Sequence, residues 1–334
     1  MATSIPTVMR AQLLTAVEEP LHLAELSVPT PRHREVLVRI AAAGLNPLDT
    51  KIAAGEAAHA KVTPPAVLGL DAAGVVVATG SGVEGFRPGD EVYGMIGGVG
   101  GVQGSLAEYA AVDVALLAHK PARWSMEEAA ALPLSVITAW EGLVDRAGVG
   151  PGHDVLVHGG AGGVGHVAVQ VALAAGARVW ATGAAGQADV LRGLGAVPID
   201  YETTPVEKYV AEHTGGEGFD IVYDTVGGSN LDRSFLAVKR YTGHVVSSLG
   251  WGSHSLAPLS FRGASYSGVF TLLPLITGEQ RAAHGRILAS AATLGAEGQL
   301  RPIVAQTFSF AEAEQALRQV ARGVPAGKVV VQIA

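Results

Sequence analysis

The chain of 334 residues is too long for one compact core and points to two domains. Apolar residues make up 49% against 16% charged, ample material for buried sheets, and 44 glycines scattered without period argue against fibrous or disordered classes. A net charge of −7 with no Lys/Arg cluster argues against nucleic-acid binding, and the absence of cysteine excludes disulfides, cysteine-ligated zinc and thiol nucleophiles.

The first segment, "MATSIPTVMRAQLLTAVEEP", holds no apolar core long enough for a signal peptide, so a cytoplasmic protein is expected. Through about residue 120, short β-type runs follow one another, broken by Pro and Gly: "EVLVRIAAAGLNP", "AAGVVVATGSGV", "GDEVYGMIGG". Strands without regular intervening helices predict a compact, partly barrelled β domain.

The texture changes at "RWSMEEAAALPLSVITAWEGLVDRAGV", where Ser125 followed by Glu128 forms a capping box ahead of an alanine-rich helix. Strand and helix then alternate. "DVLVHG" reads as strand before a helix from about Val164, and "ARVWAT" as strand before a helix over 187–194 and then "VPID". "FDIVYDTV" precedes a helix over 231–239; "HVVSSL" and "ASYSGVF" are strands, and a helix covers 281–294. This spacing predicts βαβ units and a parallel, doubly wound sheet. The tail returns to the first texture, with "PIVAQTFSF" and "GKVVVQIA" as strands flanking a helix capped by Ser309 and Glu312. A nucleotide domain of 127–299 is therefore expected to be inserted in a β domain formed by 1–126 and 300–334.

Gly160, Gly162 and Gly165 in "GAGGVG" fit G-x-G-x-x-G, with Ala161, Gly163 and Val164 between them. A plain structural turn is the bland alternative. The strand before and the helix after favour a phosphate cradle: Gly160 for the tight turn, Gly162 for close backbone approach to a pyrophosphate, Gly165 for helix packing on the sheet. The uncharged run 159–177 opens with five glycines in seven residues and carries His166 and Gln170, so it reads as a buried helix and not as a membrane span.

A strict NAD site places Asp or Glu at the end of the second strand, about 20 residues on. Thr182 and Gly183 stand there, and no acid follows until Asp189. A 2′-phosphate is not repelled, which favours NADPH over NADH, though only by absence. The alternative is that Thr182 simply ends a strand and either cofactor is accepted.

The order of "GLNPLDTK" (44–51), "VLGLDAAGVV" (67–76), "GSLAEYAAV" (104–112), "LPLSVITAWEGL" (132–143), "VLVHGGAGGVG" (155–165) and "DIVYDTVGG" (220–228) resembles the medium-chain dehydrogenase/reductase superfamily over nearly the whole chain. It looks most like the zinc-independent quinone oxidoreductase branch, which includes zeta-crystallin. The resemblance implies an α/β fold, a Rossmann-type doubly wound parallel sheet inserted in a GroES-like, mostly β catalytic domain, and a homodimer, with "ASYSGVF" extending the sheet across the interface. The activity it implies is hydride transfer from NADPH to a quinone or an α,β-unsaturated carbonyl compound. An enoyl-thioester reductase, or an NADPH-binding protein of structural or regulatory role, stays open beside it. Zinc enzymes of the superfamily carry a catalytic Cys where this chain has Asn46 and a His-Glu pair where it has Leu70-Asp71, so no zinc is expected.

Residue roles follow from the same resemblance. Asn46 replaces the lost zinc ligand and is a donor to substrate or to the nicotinamide ribose, or a turn residue before Pro. Lys51 pairs with a cofactor phosphate or polarises the carbonyl, or is a solvated surface lysine. Thr138, Tyr201, Val226, Gly227 and the backbone of Phe270 line the cofactor, with Thr138 and Tyr201 also readable as structural. Gln187 stands where relatives carry a lysine for the 2′-phosphate, and Arg192 lies a turn or so further on. Asp224 reads as a satisfied structural carboxylate and His158 as a core histidine. No metal-spaced histidine pair and no nucleophile elbow is present.

Overall fold

The computed structural model describes residues 5–334. They form two compact units, one of 5–134, Leu272–Val324 and Lys328–Ala334, the other of Ser135–Thr271 and Pro325–Gly327.

In the first unit, β1 (Val8–Leu14) and β2 (His22–Ser27) pair antiparallel. The long β3 (Glu35–Leu45) leads through Asn46 into the short helix α1 (Pro47–Ala53), with proline at the first helical position. A two-residue β4 (Ala66–Val67) joins β1, and β5 (Asp71–Thr79), β6 (Glu91–Met95), β7 (Tyr109–Asp113) and β8 (Leu117–His119) complete the antiparallel framework. β3 pairs with β5 along one edge, with two register shifts, and with β7 over Glu35–Arg39 on the other. Such irregularities let a long strand curl, as a partly closed barrel requires. α2 (Met126–Ala130) starts at the expected capping box, the Ser125 N–H donating to Glu128 at 2.8 Å and the Glu128 N–H to Ser125 at 3.1 Å. The chain passes to the second unit within α3 (Pro133–Trp140).

The second unit alternates strand and helix: β9 (Asp154–His158), α4 (Gly165–Ala174), β10 (Arg178–Gly183), α5 (Ala188–Gly193), β11 (Val197–Asp200), α6 (Val206–Thr214), β12 (Ile221–Asp224), α7 (Ser229–Ala237), β13 (His244–Ser247), α8 (Ala257–Arg262) and β14 (Ser265–Gly268). All neighbours pair parallel, in the order β11-β10-β9-β12-β13-β14. Central strands covered on both faces need continuous apolar runs, and Val155–Val157 and Ile221–Tyr223 are buried accordingly. Trp180, Tyr209, Phe219 and Phe235 fill one side of the sheet. The order reverses at β9, whose two neighbours are β10 and β12, so the crevice at their carboxyl ends is a topological switch point.

The chain then returns to the first unit with α9 (Leu273–Thr277), α10 (Arg281–Ala296), β15 (Val304–Ser309), α11 (Ala313–Arg322) and β16 (Lys328–Gln332). α10, although it continues the strand–helix rhythm, packs here: the Tyr93 hydroxyl donates to the Leu288 carbonyl at 2.6 Å, and Gly295 leaves room for the Trp124 ring. β16 pairs antiparallel with the second half of β3 and parallel with β15. No helix among the described residues is long and apolar enough to cross a membrane.

Candidate active site

The glycine turn after β9 is built by exclusion of side chains. Its left-handed residue is Gly159, at φ 69°, and not Gly160. A Cβ on Gly160 would lie 2.6 Å from the Ala181 Cβ, so its part is the close approach of the turn to β10. A Cβ on Gly165 would lie 2.0 Å from the Gly159 carbonyl oxygen, which fixes how tightly α4 can start against the turn. Gly162 is exposed, and a side chain there would project where a phosphate must approach backbone. The first turn of α4 leaves N–H groups without intrahelical acceptors, and the helix dipole favours negative charge there. These features fit a pyrophosphate. Ala161 is buried, and its carbonyl accepts from the Gly327 N–H at 2.9 Å. Gly163 and Val164, half-buried, complete the turn.

The carboxyl ends of the neighbouring strands meet this turn. The Gly159 N–H donates to the Thr182 hydroxyl at 3.1 Å, and Nδ1 of His158 lies 3.2 Å from the same oxygen. Thr182 is therefore buried and occupied inside the fold. The Tyr201 N–H donates to the Gly183 carbonyl, which sets the backbone of this 50% exposed residue beside the end of β10. Gln187 uses both ends of its amide: Oε1 accepts from the Ala184 N–H at 2.9 Å and Nε2 donates to the Pro325 carbonyl at 2.5 Å. Arg192 pairs with Asp189 at the surface.

Across the switch point, Thr225 donates to the His158 carbonyl at 2.7 Å, and Thr225 and Val226 both lie 3.0 Å from where a Gly159 Cβ would stand. Val226 is 52% exposed, and Gly227 takes φ 75°. Asp224 is fully buried and accepts from Val226 N–H, Gly227 N–H, Asn230 and Ser247, a satisfied structural carboxylate. Thr138 and Thr271 hydroxyls pair at 3.0 Å, and Phe270 packs edge-on against Trp251. His158 is buried, and desolvation, opposed by the Asp224 charge, holds its ring well below the usual histidine range. It is a neutral core residue. The G-x-G-x-x-G spacing does not mark Gly159 or Thr225; the switch-point rule applied to "DTVGG" is the signal that finds Thr225.

The first unit contributes a different kind of site. Asn46, 1% exposed, precedes α1, and its own N–H donates to the Asp49 carboxylate at 2.8 Å. Its side-chain Nδ2 donates to Asp71 Oδ2 at 3.0 Å, and its Oδ1 accepts from the ammonium of Lys328. Lys328, on β16, lies 3.7 Å from the same Asp71 oxygen, whose partner oxygen takes the Leu134 N–H at 2.8 Å. Asp49 takes the Gly69 N–H as well. Burial pushes Asp49 up to about 7 and Asp71 up to about 6, and pushes Lys328 down, the Asp71–Lys328 attraction opposing both of the latter shifts. Lys51 stands exposed on the last turn of α1 and does not join this cluster. Sequence reading saw Asp71 only as a departure and Lys328 only as part of a strand. Their meeting is a product of the β16–β3–β5 pairing, which no local signal encodes.

Comparison with known proteins adds a family. Residues 32–122 match the alcohol dehydrogenase GroES-like domain and residues 194–331 a domain described as zinc-binding dehydrogenase. The chain is 42% identical over 234 residues to the 2-methylene-furan-3-one reductase of Solanum lycopersicum, covering 67% of this chain and 58% of that protein. It is 37% identical over 246 residues to the NADPH-dependent alkenal/one oxidoreductase, chloroplastic, of Arabidopsis thaliana, covering 72% of this chain and 60% of that one. The chain thus spans about three-fifths of these curated relatives. A crystal structure of an alcohol dehydrogenase superfamily protein from Novosphingobium aromaticivorans superposes at TM-score 0.96 with 52% identity, over 98% of this chain and 100% of that one.

The residues present do not fit the zinc that the second domain's description implies. At the positions concerned stand an amide, Asn46, an aliphatic side chain, Leu70, and a carboxylate, Asp71, already facing the Lys328 ammonium. A divalent cation there would meet a fixed positive charge and too few donors. No group of three or more His, Cys, Asp or Glu able to hold a metal ion occurs among the described residues.

Proposed function

We propose that this chain, which belongs to the medium-chain dehydrogenase/reductase superfamily in its quinone oxidoreductase branch, reduces an α,β-unsaturated carbonyl compound or a quinone with NADPH. When bound, NADPH supplies the hydride. Electron-poor acceptors of this kind need little activation beyond positioning and a donor where negative charge gathers on oxygen. Asn46 supplies that donor: its second amide N–H is free of the contacts made to Asp71 and Lys328, and it is already desolvated. Lys51, exposed on the last turn of α1, is the second cation of the reading, able to pair with a cofactor phosphate or to polarise the acceptor. The proton that completes the reduction comes from water.

The single observation that carries the reading is the oriented Asn46 amide. The glycine turn supports the cofactor half, with Gly160 to Gly165 at the pyrophosphate, Tyr201, Gly183 and Gln187 near the adenosine, and Thr138, Val226, Gly227 and Phe270 toward the nicotinamide. The preference for NADPH rests on the lack of any carboxylate at the end of β10. We also propose a homodimer. β14 is an outer strand of its sheet, and two residues 86% exposed, Tyr241 in the turn before β13 and Phe261 on α8, stand in neighbouring segments, the Tyr241 N–H donating to the Arg262 carbonyl. The cytoplasmic location expected from the sequence belongs to the same reading.

The test is oxidation of NADPH and NADH by purified protein with a quinone, an acyclic enone, a methylene-furanone and an enoyl-CoA thioester. Turnover of quinone or enone is expected. Tight NADPH binding without turnover on any acceptor would falsify the enzyme reading, and preference for the thioester would make the protein an enoyl reductase. Light scattering decides the dimer.

A further inference from the structure

The Asn46 amide has two possible orientations, related by a flip of its oxygen and nitrogen, and only one is compatible with its neighbours. Lys328 offers three donors and no acceptor, and ionised Asp71 offers acceptors and no donor. With Oδ1 toward Lys328 and Nδ2 toward Asp71, both contacts are attractive. Flipped, the amide N–H would face the ammonium and the amide oxygen the carboxylate. Removing Lys328 removes half of that discrimination. It also leaves Asp71 without its counter-charge in a site where Asp71, Asp49, Asn46 and Lys328 are all buried.

We propose that Lys328 is the positioning residue of the reaction: its ammonium fixes and polarises the Asn46 amide so that the N–H not taken by Asp71 meets the acceptor's oxygen. The proposal rests on the reading of Asn46 as donor to that oxygen. A full positive charge on the amide oxygen withdraws electron density from its nitrogen and makes the remaining N–H a stronger donor. It does so at a fixed position, because Lys328 is anchored in a strand paired on both edges, to β15 and to β3. The position matters because the cation stands among the residues that replace the family's metal ligands. There it supplies positive charge through an amide and not by direct contact with substrate.

Lys328→Met keeps the side-chain length and removes the charge. Lys328→Met/Asp71→Asn removes both charges, so that a carboxylate stranded by the first change cannot by itself unfold the protein. Expected for both, if folded by circular dichroism, is a kcat for enone or quinone about 10- to 100-fold lower, with the Kd for NADPH within twofold of wild type. Lys328→Arg restores part of the loss. In a cycle with Asn46→Ala, the combined variant loses no more kcat than Asn46→Ala alone, which a merely structural lysine would not produce. Wild-type kcat in the folded double variant, or losses that multiply in the cycle, overturn the proposal. In protein labelled with 15N-asparagine, the Asn46 side-chain amide resonances shift in Lys328→Met; unchanged resonances overturn the positioning itself. If wild-type protein turns over no acceptor while those resonances still shift, the catalytic reading of Asn46 fails and the positioning stands.

Discussion

The two units hold their polar groups in opposite ways. In the second, the turn from His158 to Gly165 is one continuous stretch of chain that presents backbone, and its geometry depends on side chains that are missing: Gly160 against Ala181, Gly165 against Gly159. In the first, the Asn46–Asp49 helix start, Asp71, Leu134 and Lys328 come from separate segments of sequence and meet through side chains and the backbone N–H groups of Asn46, Gly69 and Leu134. The cradle is a local device whose tolerance is set by space. The amide cluster is a long-range device whose tolerance is set by the balance of buried charge, where breaking a pair by removing one partner costs far more than removing both.

The sharpest break should come from space. Gly165→Ala puts a methyl 2.0 Å from the Gly159 carbonyl oxygen, a contact that backbone on both sides cannot relieve. We expect NADPH affinity, read by fluorescence titration, to fall at least about 100-fold, with a loss of a few kcal/mol in stability. Gly162→Ala separates the two effects, since its Cβ would meet only Gly159 O at 3.2 Å. There the melting temperature should hold while affinity drops about tenfold, the methyl standing only in the way of the ligand. Equal affinity losses with equal destabilisation would mean the turn is structural.

In the other unit, Asn46→Ala removes a donor and leaves cofactor binding alone. Deleting one oxyanion donor lowers kcat by about 10²- to 10³-fold. We expect that range with the Kd for NADPH within twofold, and an unchanged kcat would remove Asn46 from the chemistry.

This contrast also explains what the sequence disclosed. The strand–glycine–helix order, the capping box at Ser125 and Glu128, and the strands from β9 to β14 are local patterns legible directly, whereas the six-residue α8 between β13 and β14 is not. α6 escaped because its ends, Pro205 and the left-handed Gly215, are ordinary turn residues and its apolar positions are few. The motif marks Gly160 and not the left-handed Gly159 because it names a spacing and not a dihedral. Lys328 could not be found at all: nothing in "GKVVVQ" says that its ammonium will face Asn46, 282 residues earlier. The resemblance puts Gln187 at the cofactor, but no local signal says that its amide spans the Ala184 N–H and the Pro325 carbonyl, a contact supplied by a segment far along the chain.

Acid and base should also tell the units apart. Burial raises Asp49 to about 7 from an ordinary 3.8, so the folded state holds a proton that the unfolded chain has released. That contribution is complete below pH 4 and is lost as pH rises through 7, a change of up to about 4 kcal/mol. His158 runs the other way. Its ring is lowered from 6.5 by burial, so below pH 6.5 the unfolded chain takes up protons that the fold refuses and stability is lost on acidification. Melting temperature should therefore fall toward pH 8 in a way that Asp49→Asn flattens, and fall again toward pH 4.5 in a way that His158→Gln flattens. A single variant that flattened both limbs would contradict the assignment of one limb to each unit.

The smallest expected effect concerns the cofactor's 2′-position. Gln187→Lys places a cation at the turn after β10, at the expense of the two hydrogen bonds the glutamine makes. Because the site is only half-buried, solvent screens much of the gain. The ratio of kcat/KM for NADPH over NADH should then rise about five- to tenfold, equivalent to about 1 kcal/mol. Gln187→Leu breaks the same hydrogen bonds without adding charge, so it should lower the melting temperature and leave that ratio where it was. If both variants moved the ratio alike, the glutamine would be acting through the loop it ties to Pro325, and the second unit's cofactor preference would depend on a long-range contact as the first unit's amide does.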